Sequence, residues 1–222
     1  MLIYRLALFL FAMFAIEAHA ATIMLLNKQI VLTPPNGYCE VGTHSVEQAL
    51  VRQTSEAVGN SNRILSFFAD CRELEELRSG KRQVIDNYGQ IMAPSPNGQL
   101  RILKGFTRQE YLKKMSARLN ADLPSAIRNA EVWAKQVVPG YQTQGSLGLL
   151  RIDSNGMYLG MLMATSDSAG KVRKIVGVLG TTLVKELPIS INLYQSFSRL
   201  PDLGGLLARQ QAAMAFFVRA NN

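Results

Sequence analysis

Residues 147–197, LGLLRIDSNGMYLGMLMATSDSAGKVRKIVGVLGTTLVKELPISINLYQSF, decide the fold. Leu147–Asp153, Met157–Thr165, Val172–Lys185 and Ile189–Phe197 are four runs rich in aliphatic and β-branched residues, a composition that reads as strand. Short polar connections separate them. Asp153-Ser154-Asn155-Gly156 is hairpin-turn chemistry, with Asn155-Gly156 expected to supply positive φ. Asp167–Lys171 and Glu186–Pro188 make the other two turns. Connections this short cannot carry a parallel crossover, so the runs form an antiparallel four-stranded meander. Beyond it, Asp202 caps a helix with Leu203, Leu206, Leu207, Gln210, Met214 and Phe217 on one stripe. Only Gln210 interrupts that apolar face, which therefore packs on the sheet.

Upstream the order is mixed. Ile23–Leu32 reads as one or two strands ending at the Pro34–Gly37 turn cluster, before Tyr38-Cys39. Ser45 and Gln48 have capping-box spacing, predicting a helix with Val46, Ala49, Leu50, Ala57 and Val58 on one stripe and Gly59-Asn60 at its end. Arg63–Ala69 is a dense apolar run suited to a buried strand, Arg72–Arg78 a short helix, and Gln83–Met92 a further strand. Thr107 and Glu110 form a second capping box, with Phe106 and Tyr111 spaced as a hydrophobic staple, for a helix to about Leu119. A helix over Ser125–Val138 stops at Pro139-Gly140 and holds the single tryptophan, Trp133, as a core residue. Pro94–Gly98 is a loop, and no internal repeat is present. Strands segregated from helices predict an α+β fold: an antiparallel sheet with a C-terminal four-stranded meander and helices packed on it.

Residues 1–20, MLIYRLALFLFAMFAIEAHA, read as an address. Arg5 precedes an uncharged apolar run, Leu6–Ile16, and Ala18-His19-Ala20 fits the small-x-small pattern of a signal peptidase site. A run this short falls well below the ~20 residues that span a bilayer as a helix. No cysteine lies near the cut, which excludes a lipoprotein signal. The expectation is a cleaved signal peptide at 1–20 and a single α+β domain over 21–222, periplasmic or secreted, with no transmembrane span after cleavage.

Lys and Arg exceed Asp and Glu by 24 to 16, a net charge of +8. The excess favours anionic envelope partners such as lipid head groups or lipopolysaccharide, although solubility alone also accounts for it. Nucleic acid is a poor candidate for an exported chain without a recognisable binding module. Cys39 and Cys71 are the only cysteines, and in an exported chain they read as one disulfide. Closing that loop contributes roughly 3.5–4 kcal/mol on the chain-entropy relation.

Catalytic patterns are weak. His44 is the only histidine after residue 20, and a Cys–His hydrolase would need Cys39 free beside it. Ser168-Ala169-Gly170-Lys171 matches a Ser-x-x-Lys pattern but falls in an expected hairpin turn. Glu73, Glu75 and Glu76 are explained by helical ion pairs such as Glu75 with Arg78. Neither a metal site nor a cofactor motif is expected. The one surface feature is basic: Lys113, Lys114 and Arg118 lie on the Thr107 helix, a candidate anion-binding face with Tyr111 one turn before it.

Ile30–Tyr38, IVLTPPNGY, resembles the strand-then-Pro-Gly-aromatic opening of exported bacterial proteins with a PsbP/Mog-like α/β sandwich. The meander ending in Leu193-Tyr194 and the striped helix to Arg219 are similar to that family's close. The shared stretches cover about a quarter of the chain and leave Phe106–Val138 unaccounted for. The resemblance carries no common catalytic residues and implies a binding or accessory role. The combined expectation is a non-catalytic binding or accessory envelope protein, its partner an anionic envelope component or another protein. The alternative is a periplasmic hydrolase whose active site is dispersed in sequence.

Overall fold

The structure, a computed structural model, describes residues 21–222 apart from 43, 59–60, 118, 120–123, 127, 130–131, 133–142 and 167–170. The signal-like segment 1–20, Gly59-Asn60, Trp133, Pro139-Gly140 and Ser168 therefore lie outside the described residues. Of the helix expected over Ser125–Val138, the described residues 125–126, 128–129 and 132 are helical.

β1 (Ala21–Leu25) and β2 (Lys28–Leu32) form a hairpin of their own. The main sheet has seven strands: β3 (Tyr38–Glu40), β4 (Asn62–Asp70), β5 (Asn87–Pro94), β6 (Thr143–Ile152), β7 (Met157–Ser166), β8 (Val172–Val184) and β9 (Leu187–Phe197). Their order is β3-β4-β5-β9-β8-β7-β6, with every neighbouring pair antiparallel. The helices are α1 (Ser45–Val58), α2 (Cys71–Arg78), α3 (Arg108–Ser116) and α4 (Leu203–Asn221). The fold is α+β, and β6 to β9 are the expected meander.

One sheet face carries the largest core. Ile91, Ile191, Leu193, Val176, Val178 and Leu162 are buried there beneath α4 and the β1–β2 hairpin. The stripe read from sequence is the buried face of α4, Gln210 included. Two glycines let that helix come close. A Cβ on Gly180 would stand 2.5 Å from Gln210 Nε2 and 2.8 Å from Met214 Cε, and one on Gly156 would stand 3.2 Å from Met214 Cγ. Gln210 uses the approach to donate to Ile191 O. At the far end Asn221 accepts from Val31 N at 2.8 Å and donates to Val31 O at 2.9 Å, pinning the hairpin to the helix.

Several turns and caps differ from expectation for physical reasons. Asn155 and Gly156 do not adopt positive φ. Asp153 Oδ1 instead accepts from Asn155 N at 2.8 Å and Gly156 N at 3.0 Å, so the side chain closes the turn. The β8–β9 turn is Lys185-Glu186, at φ 48° and 65°, and Leu187 and Pro188 already belong to β9. Left-handed backbone costs an L-residue roughly 1–2 kcal/mol. Here Glu186 offsets it by accepting from Lys28 Nζ and Gly105 N, each at 2.8 Å, while Lys185 Nζ donates to Gln29 O at 2.8 Å.

Ser45 does not cap α1, because the helix already contains it and His44 O accepts from the amides of Glu47 and Gln48. Val46 points to solvent and Glu47 takes the inward position. β5 starts at Asn87 and not at Gln83, because Glu73 Oε2 captures the amides of Asp86 at 2.6 Å and Asn87 at 3.0 Å. α3 keeps its expected capping box, with Thr107 N donating to Glu110 and Glu110 N to Thr107, but ends at Ser116.

The sheet's two outer strands are irregular. β6 is broken by register shifts at Ser146/Gly148 and Leu149/Arg151, with Gly148 at φ 84°. β3 is only three residues long.

Because Gly180 is the seat of Gln210, Gly180→Val forces α4 away from the sheet and lowers stability by roughly 1–3 kcal/mol. Urea melting checks it, and an unchanged midpoint would show that α4 does not rest on β8 at that point.

Candidate functional site

The opposite sheet face is built differently. α1 and α2 cover its β4 end, where Phe67, Ala69, Leu74 and Leu77 cluster. α3 covers its β8 end through Tyr111, Leu112 and Leu183. Between them the β5–β9 register sets Tyr88 opposite Tyr194 and Gln90 opposite Asn192. The two tyrosine rings stack at 5.0 Å, and Phe67 tilts against Tyr88 at 6.0 Å. Gly177 makes room for them, since a Cβ there would stand 2.8 Å from Tyr194 Cδ1.

These rings floor an open cavity of about 540 Å3. Leu50 and Thr54 of α1 form one wall, and Gln83, Val84 and Ile85 form the rim after α2. Met163 of β7 and Arg173 of β8 close the far side, and Gln90 lies in the floor. The size and the mixture of apolar walls with a few polar groups are those of a small-molecule site.

The cavity's cation is compensated. Arg173 Nη2 lies 2.9 Å from Asp86 Oδ1 and also donates to Ile85 O, while its Nε donates to Ser196 Oγ at 2.7 Å. Asp86 Oδ2 also meets Arg82 Nη1 at 2.8 Å, and Arg82 Nε reaches Glu76 Oε2 at 2.9 Å. Burial opposes ionisation of Asp86, but the Arg173 charge and the bonds from Arg82 and Ser196 hold its pKa below the usual value. Burial pushes the Tyr88 and Tyr194 hydroxyls upward, so both are neutral at neutral pH; Arg173 pulls weakly against it at Tyr88.

Gln90 in the floor and Asn192 opposite it carry unpaired polar atoms. Gln90 is 5% exposed and Asn192 1% exposed, yet Gln90 Oε1 and both terminal atoms of the Asn192 amide make no hydrogen bond. The Asn192 and Gln90 amides lie close enough to the Tyr194 hydroxyl to favour its ionised form. For Asn192 that proximity falls short of hydrogen-bond geometry, and its amide makes no hydrogen bond. Buried polar atoms are ordinarily satisfied; of these orphans only Gln90 lines the cavity, and one further unpaired acceptor, Gln210 Oε1, lies under α4 on the other sheet face.

The sequence-predicted residues sit around this cavity rather than in it. Cys39 and Cys71 are bonded at 2.02 Å, with no free cysteine among the described residues. The bridge ties β3 to the first residue of α2. From α2, Glu73 holds the rim at Asp86 and Asn87, and Arg78 pairs with Glu47 of α1, not with Glu75. Burial disfavours the Glu47 charge, but Arg78 and the Gly42 amide outweigh it and lower its pKa. Cys39 is thus unavailable as a nucleophile, and His44 stands at the start of α1.

Of the basic triad, Lys113 and Lys114 are among the described residues. Lys113 is exposed, and Lys114 Nζ sits over the Phe106 ring at 4.4 Å. Arg118 lies outside the described residues. Tyr111 turns to the sheet, sharing a 2.8 Å hydrogen bond with Thr181 Oγ1. Arg108 also turns inward, to Leu183 O and Asn222 Oδ1. Among the described residues no helix is long and apolar enough to cross a membrane.

No family model matches the chain, and no curated protein matches it in sequence. Among solved structures, the Ran-binding protein Mog1p of Saccharomyces cerevisiae aligns over 92% of this chain and 93% of that chain, at 11% identity and a TM-score of 0.32. The likeness is a low-level fold match to an α/β sandwich.

Two measurements probe the cavity wall. Replacing both Cys39 and Cys71 by Ala should cost roughly 3–4 kcal/mol in chemical unfolding, and a change under about 1 kcal/mol would remove the bridge as the wall's anchor. Asp86 has a depressed pKa, so its contribution is present above the ordinary value of 3.8 and is lost as the pH falls below it. Its side chain is 39% exposed, so screening limits the effect. Asp86→Asn should lower stability by about 1 kcal/mol at pH 7 and leave it nearly unchanged near pH 2. An equal loss at both pH values would assign the effect to packing.

Proposed function

We propose that this chain is exported, loses residues 1–20, and acts as a non-catalytic binding protein whose site is the tyrosine-floored cavity. The observation that carries the binding reading is the unpaired Gln90 Oε1 beneath a cavity of about 540 Å3 lined by aromatic and aliphatic side chains. A catalytic site gathers nucleophile, base and acid within hydrogen-bond reach. This cavity gathers aromatic and aliphatic side chains with amides, and its charged groups neutralise one another. That inventory suits holding a molecule rather than breaking one.

Export is supported by the charge-apolar-small pattern of residues 1–20 and by the Cys39–Cys71 bond, which forms and persists in oxidising compartments. The same bond anchors α2, whose contacts form the cavity rim, so the binding reading and the export reading meet in one covalent feature.

The chain expressed with its own leader, recovered from the envelope fraction and weighed intact, should begin at Ala21 with both sulfurs oxidised. Full-length chain in the cytosol with two alkylatable thiols would overturn export. Native mass spectrometry of the recovered protein should show retained small molecules that a cavity-filling Thr54→Trp variant lacks. Equal adducts in both would overturn the cavity as the binding site.

A further inference from the structure

We infer that the cavity selects an uncharged, largely aromatic or aliphatic molecule carrying one hydrogen-bond donor, which it delivers to Gln90 Oε1. The inference rests on the binding reading above and adds a ligand class to it. Three observations converge on it.

The first is the lining. Tyr88, Phe67, Leu50, Ile85 and Met163 present rings, branched carbons and a thioether, surfaces that reward desolvated carbon and rings. The second is the charge balance. Arg173 is the one cation in the lining, and its guanidinium is taken by Asp86, Ser196 Oγ and Ile85 O. Asp86 is in turn shared with Arg82, and Glu73 and Glu76 border the same rim. Two arginines against three carboxylates leave no positive surplus here, although the chain as a whole is +8. An anion entering would lose its hydration without gaining a free cation. The third is the orphaned Gln90 Oε1, an acceptor in a residue only 5% exposed. A donor on the ligand satisfies it, and a ligand lacking that donor forgoes that hydrogen bond.

The site therefore discriminates in two independent ways, by charge at Arg173 and by a donor at Gln90. Phenylnaphthylamine carries these properties as a probe: a neutral bicyclic ring, a phenyl ring and one N–H, with fluorescence that rises on apolar burial. Its N-methyl derivative lacks the donor, and anilinonaphthalenesulfonate adds a negative charge to the same frame.

Fluorescence titration of the oxidised protein tests the proposal. The wild type should bind phenylnaphthylamine about 10-fold tighter than either the N-methyl derivative or the sulfonate. Gln90→Leu should bring the two amines within about 3-fold of each other, because the orphan acceptor is gone. Asp86→Asn uncovers Arg173 and should tighten sulfonate binding about 10-fold relative to phenylnaphthylamine binding. Thr54→Trp should abolish binding of all three dyes. Val84→Trp, at a rim position 49% exposed, supplies a second block should Thr54→Trp not fold. Sulfonate binding as tight as phenylnaphthylamine, and lost in the blocked variants, would overturn the neutral class while leaving the cavity a binding site. Equal binding of the two amines to wild type would overturn the role of Gln90. Dye binding that survives both blocked variants, or no binding of any dye, would overturn the proposal as a whole.

Discussion

The antiparallel pairing of β5 with β9 is the constraint on which the rest depends. It joins the N-terminal strands to the C-terminal meander across about a hundred residues of chain, from Asn87 opposite Gln195 to Met92 opposite Ser190. One register fixes both faces at once. Ile91, Ile191 and Leu193 go toward α4, and Tyr88, Tyr194 and Gln90 go toward the cavity, with Asn192 on the same sheet face. Strand side chains alternate with period two, so a slip of a single residue would put amides under α4 and isoleucines in the cavity floor. Gly89 locks the register further, since a Cβ there would stand 2.5 Å from Asn192 O.

A second layer of organisation is polar. α2 is a short helix that buries Leu74 and Leu77 against Phe67 and Ala69. Its position is set further by one covalent link, the bridge at Cys71, by the hydrogen bonds of Glu73 to the rim amides, and by the ion pair of Arg78 with the buried Glu47. A buried carboxylate is costly unless it is paired, and both Glu47 and Glu73 are fully engaged. These links hold the rim where Tyr88 and Gln83 meet the cavity. Gln90 Oε1, the Asn192 amide and Gln210 Oε1 are the exceptions to this polar satisfaction, and of these only Gln90 lines the cavity.

The meander, α4 and the disulfide were legible in the sequence because each is written in a single dominant pattern. Apolar runs with short gaps leave one topology. The Leu203-to-Phe217 stripe leaves one buried face, and two cysteines leave one pairing. Details governed by a distant side chain were not legible. The turn at Lys185-Glu186 has no glycine, and only the partners Lys28, Gly105 and Gln29 make its backbone tolerable. The start of β5 depends on Glu73, and the inward turn of Glu47 in place of Val46 depends on Arg78. The cavity was invisible for the same reason: Tyr88 and Tyr194 read as ordinary strand residues until β5 and β9 are placed side by side.

The interrupted outer strands have a colloidal consequence. A long straight border of unpaired amides and carbonyls is a template on which another molecule's backbone can zip. Here one border bends twice within β6, at Ser146/Gly148 and Leu149/Arg151, and the other is a three-residue stub tethered through Cys39. Neither offers the flat run that fibrous growth requires, so crowding such molecules together does not nucleate cross-β assembly from the borders of this sheet.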